Sequence, residues 1–365
     1  MRVRSIIAAL LIGSLLAGCG NAGGTEPAGS EAAAASPEAA EGSAVAGETQ
    51  DAGTVPLVGI VAYAVGIEDG GFNQSAWEGL QRLAGTSDCE TSFLESNAEG
   101  DFQENIHKLV DAGGDLCWAI GYSCADILRE EAEEHPDRSF AIVDYAYEDT
   151  PSNMTGVMFR AEESAFLAGY VAGCVTESGK LGFIGGESNE VIDQFRYGYQ
   201  AGAWYAGKEL GREITVETAY TGSFADVAGG RDLAADMYDR GCDIVFHAAG
   251  ESGMGVIDAA REAGKYVIGA DKDQSYLAPE QVLTSVLKDV NSAVYQVSRD
   301  YLEGNPIGGR TIELGLAEDA VGQSEEHSLY SDEIYTRMLV LRDRIVSGEL
   351  DPPAGKPAYE QFIGG

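Results

Sequence analysis

Gly114-Asp115-Leu116-Cys117-Trp118-Ala119-Ile120-Gly121 and Gly241-Cys242-Asp243-Ile244-Val245-Phe246-His247-Ala248-Ala249-Gly250 follow one pattern. Each runs from Gly and Asp through an apolar stretch to a closing Gly. A short, wholly apolar run bounded by turn residues reads as a strand buried on both faces. A helical stretch precedes each copy, at 102–112 and 230–240. A further strand follows each and ends in an acid, Asp144 in the first and Asp271 in the second. Upstream, Phe72 and Phe195 follow the first strand of each series. Asp115 and Asp243, Gly121 and Gly250, and Asp144 and Asp271 lie 127 to 129 residues apart. Chance likeness between two strand–helix–strand runs explains one such match, but four in order point to two similar lobes.

The surrounding chain has the same character. In the first series, strands are predicted at 57–62, 91–95, 116–120, 140–143 and 155–159, with helices at 74–83, 102–112 and 125–134. In the second, strands are predicted at 181–184, 215–219, 244–247 and 266–269, with helices near 191–210, 230–240 and 254–263. This alternation predicts an α/β chain with parallel sheets covered on both faces. Two such lobes face to face leave a cleft at the carboxyl ends of their strands, where α/β proteins bind ligands. Gly121, Asp144, Gly250 and Asp271 all sit at strand ends. Paired carboxylates suit a ligand with hydroxyl donors, because ionised carboxylates only accept hydrogen bonds. Paired phenylalanines suit a flat ligand held between rings.

The N-terminal segment reads as an address. Arg2 and Arg4 precede an uncharged, mostly apolar run at 5–18, shorter than the roughly 20 residues a spanning helix needs. The run ends in Leu16-Ala17-Gly18-Cys19, which resembles a bacterial lipobox. That resemblance implies cleavage after 1–18 and a lipid on Cys19, holding the protein to the bilayer through its acyl chains. Residues 19–56 are rich in Gly, Ala, Ser, Glu and Pro. They hold too little apolar surface to offset the entropy of ordering, and are predicted to be a disordered acidic tether.

The full chain has 23 Lys plus Arg against 60 Asp plus Glu, a formal charge of −37 over 365 residues. Such a polyanion repels phosphate backbones, so nucleic acid is excluded as a partner. It also disfavours a phosphorylated ligand in the cleft. Six cysteines are present; with Cys19 lipidated, Cys89, Cys117, Cys124, Cys174 and Cys242 remain. They read as buried small hydrophobes with room for one bridge, whose pairing spacing does not fix. The four histidines are scattered without metal-ligand spacing, and no cofactor or metal is expected. The glycines at 250–255 lack the Lys-Ser/Thr ending of a phosphate loop, and Gly121-Tyr122-Ser123 lacks the last Gly of a nucleophile elbow.

Several motifs stand in order along the chain. They begin with Asp69-Gly70-Gly71-Phe72-Asn73-Gln74, Phe140-Ala141-Ile142-Val143-Asp144 and Phe166-Leu167-Ala168-Gly169-Tyr170. They continue with Gly182-Phe183-Ile184-Gly185-Gly186, His247 through Gly255, Ile268-Gly269-Ala270-Asp271 and Thr284-Ser285-Val286-Leu287-Lys288. Together they resemble one family, the basic membrane protein lipoproteins, nucleoside-type substrate-binding proteins of ABC transporters. The resemblance implies a type I periplasmic-binding-protein fold, two Rossmann-like lobes with the chain crossing between them three times. Lobe 1 would be 57–160 plus about 289–320. Lobe 2 would be 161–288 plus about 321–350, ending in a helix near 331–346, and 351–365 would be a tail.

The resemblance also implies a monomer that captures a nucleoside, often a purine one, for an ABC permease, with no catalysis. By position, Phe72 and Phe195 would sandwich the base. Asp144, Asp271 and Lys288 would hold the ribose hydroxyls. Asp69, within the signature, is a further ligand-binding candidate, and Asn73 and the Gly250 backbone would complete the pocket. Two departures bear on this. Tyr63 stands where the family usually has a polar residue near the base. Gly70-Gly71 replaces a common Lys-Ser pair, which is expected to loosen the loop before Phe72. Two other readings of the same residues are a sugar or signal-molecule binder serving a transporter or sensor kinase, and a nucleoside hydrolase using Asp144 and Asp271 as an acid pair.

Overall fold

The computed structural model describes residues 55–63, 66–96 and 99–364. The signal segment, Cys19 and all of the tether but Val55 and Pro56 lie outside the described residues, as does the side chain of Tyr63.

The first run of elements is β1 (Leu57–Tyr63), α1 (Phe72–Thr86), β2 (Glu90–Ser96), α2 (Glu99–Asp111), β3 (Gly114–Ile120), α3 (Ala125–Glu134), β4 (Ser139–Val143) and β5 (Met154–Phe159). Strand β3 shows why a sheet with two covered faces forms. Leu116, Trp118 and Ile120 enter one apolar cluster, while Cys117 and Ala119 enter another on the opposite face. Side chains alternate across a strand, so an unbroken apolar run demands helices on both sides. The second run begins with α4 (Ala161–Val175) and continues through β6 (Lys180–Gly185), α5 (Glu190–Leu210), β7 (Thr215–Tyr220), α6 (Val227–Asp239), β8 (Ile244–Ala248), α7 (Ser252–Ala263), β9 (Tyr266–Asp271) and β10 (Val282–Lys288). Then follow α8 (Val290–Leu302), β11 (Arg310–Leu314), β12 (Val321–Gln323), α9 (Asp332–Val346) and α10 (Lys356–Gly364).

The strands form two sheets of equal size, ordered β11-β5-β4-β3-β1-β2 and β12-β10-β9-β8-β6-β7. All pairs are parallel except β10 with β12. Helix α8 returns to pack on α1 of the first lobe, and α9 packs on α4 of the second. The chain therefore crosses between lobes three times, after β5, after β10 and after β11. Backbone bonds stitch the crossings together: Arg160 N–H to the Leu314 carbonyl (2.8 Å) and Asp289 N–H to the Ala320 carbonyl (2.8 Å). Glu163 adds a side-chain tie, its Oε2 accepting from Leu316 N–H at 2.7 Å.

Helices α4 and α5 lie against each other so closely that a Cβ on Gly202 would sit 1.9 Å from the Phe166 carbonyl oxygen. Segment 351–365, read as a tail, contains α10. Its Phe362 meets Phe166 and Trp204 edge-on, and its Tyr359 meets Tyr197. Cys89, Cys117, Cys124, Cys174 and Cys242 are all free thiols, so the bridge that their number left room for does not form among them.

Candidate functional site

Each lobe turns its carboxyl-terminal strand ends toward the other, and a cavity lies between them. The space between the lining residues, its opening to solvent included, is about 720 Å³. Asp69, Phe72, Asn73, Asp144, Phe195, Gly250, Asp271 and Lys288 all line it. The structure thus gathers every side chain or backbone position that the sequence singled out in the described residues.

The two acids at equivalent strand ends share an unusual backbone. Asp144 has φ 67° and Asp271 has φ 66°; among the described residues Asp319 is the only other non-glycine with positive φ. Asp tolerates this left-handed region better than most side chains. The Asp144 N–H still bonds the Val157 carbonyl at 2.8 Å, so the strand holds its pairing to the last residue and then turns. Neither acid caps a helix. Asp273 makes the local turn instead, its Oδ1 accepting from Ser275 N–H at 3.0 Å.

Lys288 reaches this cluster from the end of β10. It is buried, and its Nζ donates to Asp144 Oδ2 at 2.5 Å across the cleft. The ammonium also lies 4.7, 5.2 and 5.7 Å from the ring centres of Phe72, Phe159 and Phe195. A buried cation needs such partners, because leaving water costs several kcal/mol per ion. Asp271 has no hydrogen-bond donor among the described residues. Burial pushes its carboxyl up to about 7; nearby Asp69 and Asp144 add to the rise and Lys288 opposes it.

Asp69 borders the cavity and also holds the loop before α1. Its Oδ1 accepts from Gly71 N–H and Gln74 N–H, each at 3.0 Å, and its Oδ2 from Asn73 N–H at 2.8 Å. It caps the start of α1 and so aims Phe72 and Asn73 into the cavity. These bonds pin the loop that the Gly70-Gly71 pair was expected to loosen. Gly70 has φ +66°, and a Cβ there would come within 2.6 Å of the Met254 methyl of the second lobe. The glycine lets the loop reach across the cleft. Its carbonyl accepts from Gln274 Nε2 at 3.4 Å, and Gln274 Oε1 in turn meets His247 Nε2 at 3.0 Å. Burial pushes His247 down to about 4, so it is neutral near pH 7 with its proton on Nε2. Lys272 and Glu78 bridge the lobes at 2.8 Å.

Phe195 is both core and wall. It is buried beside Phe246, 6.3 Å between ring centres, and also borders the cavity. Phe72 is half-buried. Sequence reasoning did not place Phe224, Tyr122, Ser123, Val191 and Ile192 in the site, and they line it too. Phe224 lies in the turn between β7 and α6 and backs onto Gly250. Its signal was its position, since it too follows the carboxyl end of a strand. Among the described residues no group of three or more His, Cys, Asp or Glu is placed to hold a metal ion, and no helix is long and apolar enough to cross a membrane.

Residues 57–356 match the family described as ABC transporter substrate-binding protein, PnrA-like. Basic membrane protein A of Borreliella burgdorferi is 39% identical over 314 residues, covering 85% of this chain and 91% of that protein. Basic membrane protein D of the same species is 39% identical, covering 86% and 91%. A solved solute-binding protein of an ABC transporter system from Aeropyrum pernix K1 superposes with a TM-score of 0.77 at 24% identity, covering 85% of this chain and 97% of that one. This last likeness carries the fold, that of type I periplasmic-binding proteins. The chain belongs to the PnrA-like family of ABC transporter substrate-binding proteins, which take up a small molecule outside the cytoplasmic membrane for a transporter's permease.

Proposed function

We propose that this protein is a lipid-anchored, monomeric binder that captures a nucleoside, purine nucleosides foremost, and presents it to an ABC permease. The observation that carries the reading is the mixed lining of the cavity. Phe72, Phe195 and Phe224 offer apolar faces for a flat base, while Asp144, Asp271 and Lys288 cluster where hydroxyl groups find acceptors and a donor. A free sugar would use the acids but leave the rings uncovered. Three carboxylates and one ammonium line the cavity, so a phosphate would meet net negative charge in a site of low dielectric. Lipid on Cys19 would keep the binder at the membrane. Binding needs no bond-making, and closure of the lobes around the ligand would hold it.

Calorimetric titration with adenosine, guanosine, uridine, ribose and AMP tests the reading. Nucleosides should bind and AMP should not. Binding of ribose alone would transfer the assignment to a sugar, and free base released on long incubation would make the protein a hydrolase. Replacing Asp271 by Ala should weaken nucleoside binding by at least about 100-fold, equivalent to roughly 2.7 kcal/mol.

A further inference from the structure

The three chain crossings leave β5, β11, β10 and β12 along one side of the molecule, because these strands lie together at one end of each sheet. Rotation about the crossings opens the cleft most at the other end. Tyr122 follows β3, and Glu187 and Asn189 follow β6. By strand order β3 lies three strands from β11 at the sheet's edge, and β6 lies four from β12. There the Tyr122 hydroxyl donates to Glu187 Oε2 at 2.7 Å and accepts from Asn189 Nδ2 at 2.8 Å. One hydroxyl thus joins two groups of the opposite lobe.

Asn189 is also the cap of α5, its Oδ1 accepting from Ile192 N–H at 3.0 Å. Val191, Ile192 and Phe195 of α5 line the cavity. The Tyr122 bonds are therefore made to the rigid start of the helix that carries one wall of the site. A phenol donating to a carboxylate makes a charge-assisted bond, stronger than a neutral one. Both bonds must break for the lobes to part.

We infer that Tyr122, Glu187 and Asn189 form a clasp that holds the lobes closed and sets the rate at which ligand leaves. Tyr122 also borders the cavity, but the role assigned to it here is that of a positioning residue, acting through its bonds to the far lobe. The inference rests on the two-lobed binding reading but not on the identity of the ligand. Its effect falls on dissociation, because the bonds form only after the lobes meet. Removing the hydroxyl should raise the dissociation rate about fivefold and leave the association rate within about twofold, in line with the tendency of affinity changes to appear in off-rates.

The test uses the soluble mature chain carrying Tyr122→Phe, Glu187→Ala, Glu187→Gln and the Tyr122→Phe/Glu187→Ala pair. Small-angle X-ray scattering without added ligand reads the lobe opening. Stopped-flow measurement with adenosine and guanosine reads both rates. Tyr122→Phe and Glu187→Ala should each enlarge the radius of gyration and speed dissociation. Glu187→Gln, which keeps an acceptor, should restore most of the effect, and the double variant should be no worse than the stronger single one. If Tyr122→Phe speeds dissociation while Glu187→Ala changes nothing, Tyr122 acts by touching the ligand and the clasp is overturned. Unchanged scattering and rates in both variants overturn it as well. If the wild type binds neither nucleoside, the nucleoside reading fails, and scattering alone decides the clasp.

Discussion

Asp271 holds its proton well above the ordinary carboxylate range, pushed up to about 7 by burial, with Asp69 and Asp144 adding to the rise and Lys288 opposing it. Between about pH 4 and 7 the folded chain keeps this proton and the unfolded chain releases it. The group's contribution to stability therefore falls as pH rises through that window. Buried Glu162, also pushed up to about 7 by burial, acts in the same direction. His247 acts oppositely. Burial holds it near 4, so the unfolded chain takes a proton below about pH 6.5 that the folded chain refuses. Asp271→Asn should shift the slope of melting temperature against pH in the positive direction between pH 4 and 7, measured by differential scanning fluorimetry. An unchanged slope would mean that Asp271 is ionised throughout. Lys288→Met leaves Asp144 buried without its cation and should cost about 3–5 kcal/mol in urea unfolding, because an unpaired buried charge is the costly case. The pairing of two acids at equivalent strand ends was legible from spacing alone. That Lys288 bonds Asp144 and leaves Asp271 unbonded was not, because the choice depends on how the lobes meet.

The loop before α1 and the α4–α5 contact show two ways in which local sequence holds an element in place. Three backbone N–H groups converge on Asp69. Asp69→Ala should lower stability by about 1–2 kcal/mol and free Phe72, with nucleoside affinity falling more than stability does. A loss of stability with intact affinity would show that the rest of the loop positions Phe72. At the α4–α5 contact, Gly202→Val has no room and should destabilise by about 3 kcal/mol or more, read as a drop in urea midpoint. Most inner strands were legible because their apolar runs are continuous; β10 (Val282–Lys288) was not read as a strand, since Thr284 and Ser285 interrupt its run. Strands β11 (Arg310–Leu314) and β12 (Val321–Gln323) were not legible either. Both lie at sheet edges, where one flank is unpaired and side chains are only partly buried, so no apolar run marks them.

The whole chain carries −37, and most of that charge belongs to the two-lobed body. Self-repulsion at this density opposes compaction, and salt shortens its range to about 8 Å at physiological ionic strength. Raising sodium chloride from about 0.05 to 0.5 M should therefore raise the melting temperature by several degrees. A fall would mean that ion pairs such as Lys272–Glu78 outweigh the repulsion. The same salt series gives a further reading on closure, since the clefts of two acidic lobes repel each other most at low salt.

The amino-acid order alone carried the doubled α/β pattern, the acids and rings at strand ends and the family likeness. Those features follow from periodicity, turn residues and spacing, which are local or simply repeated. Tertiary structure decided the rest. It made Asp69 a cap, placed Lys288 among three rings, turned the last residues into a docked helix, left the five described cysteines unbridged and brought Tyr122 to Glu187 and Asn189. Each of these joins residues far apart in the chain or lets one group satisfy several partners at once. Apart from the Asp69 cap, whose partners lie within residues 69–74, contacts of that kind are settled by burial and geometry after the lobes have formed, so no window of sequence contains them.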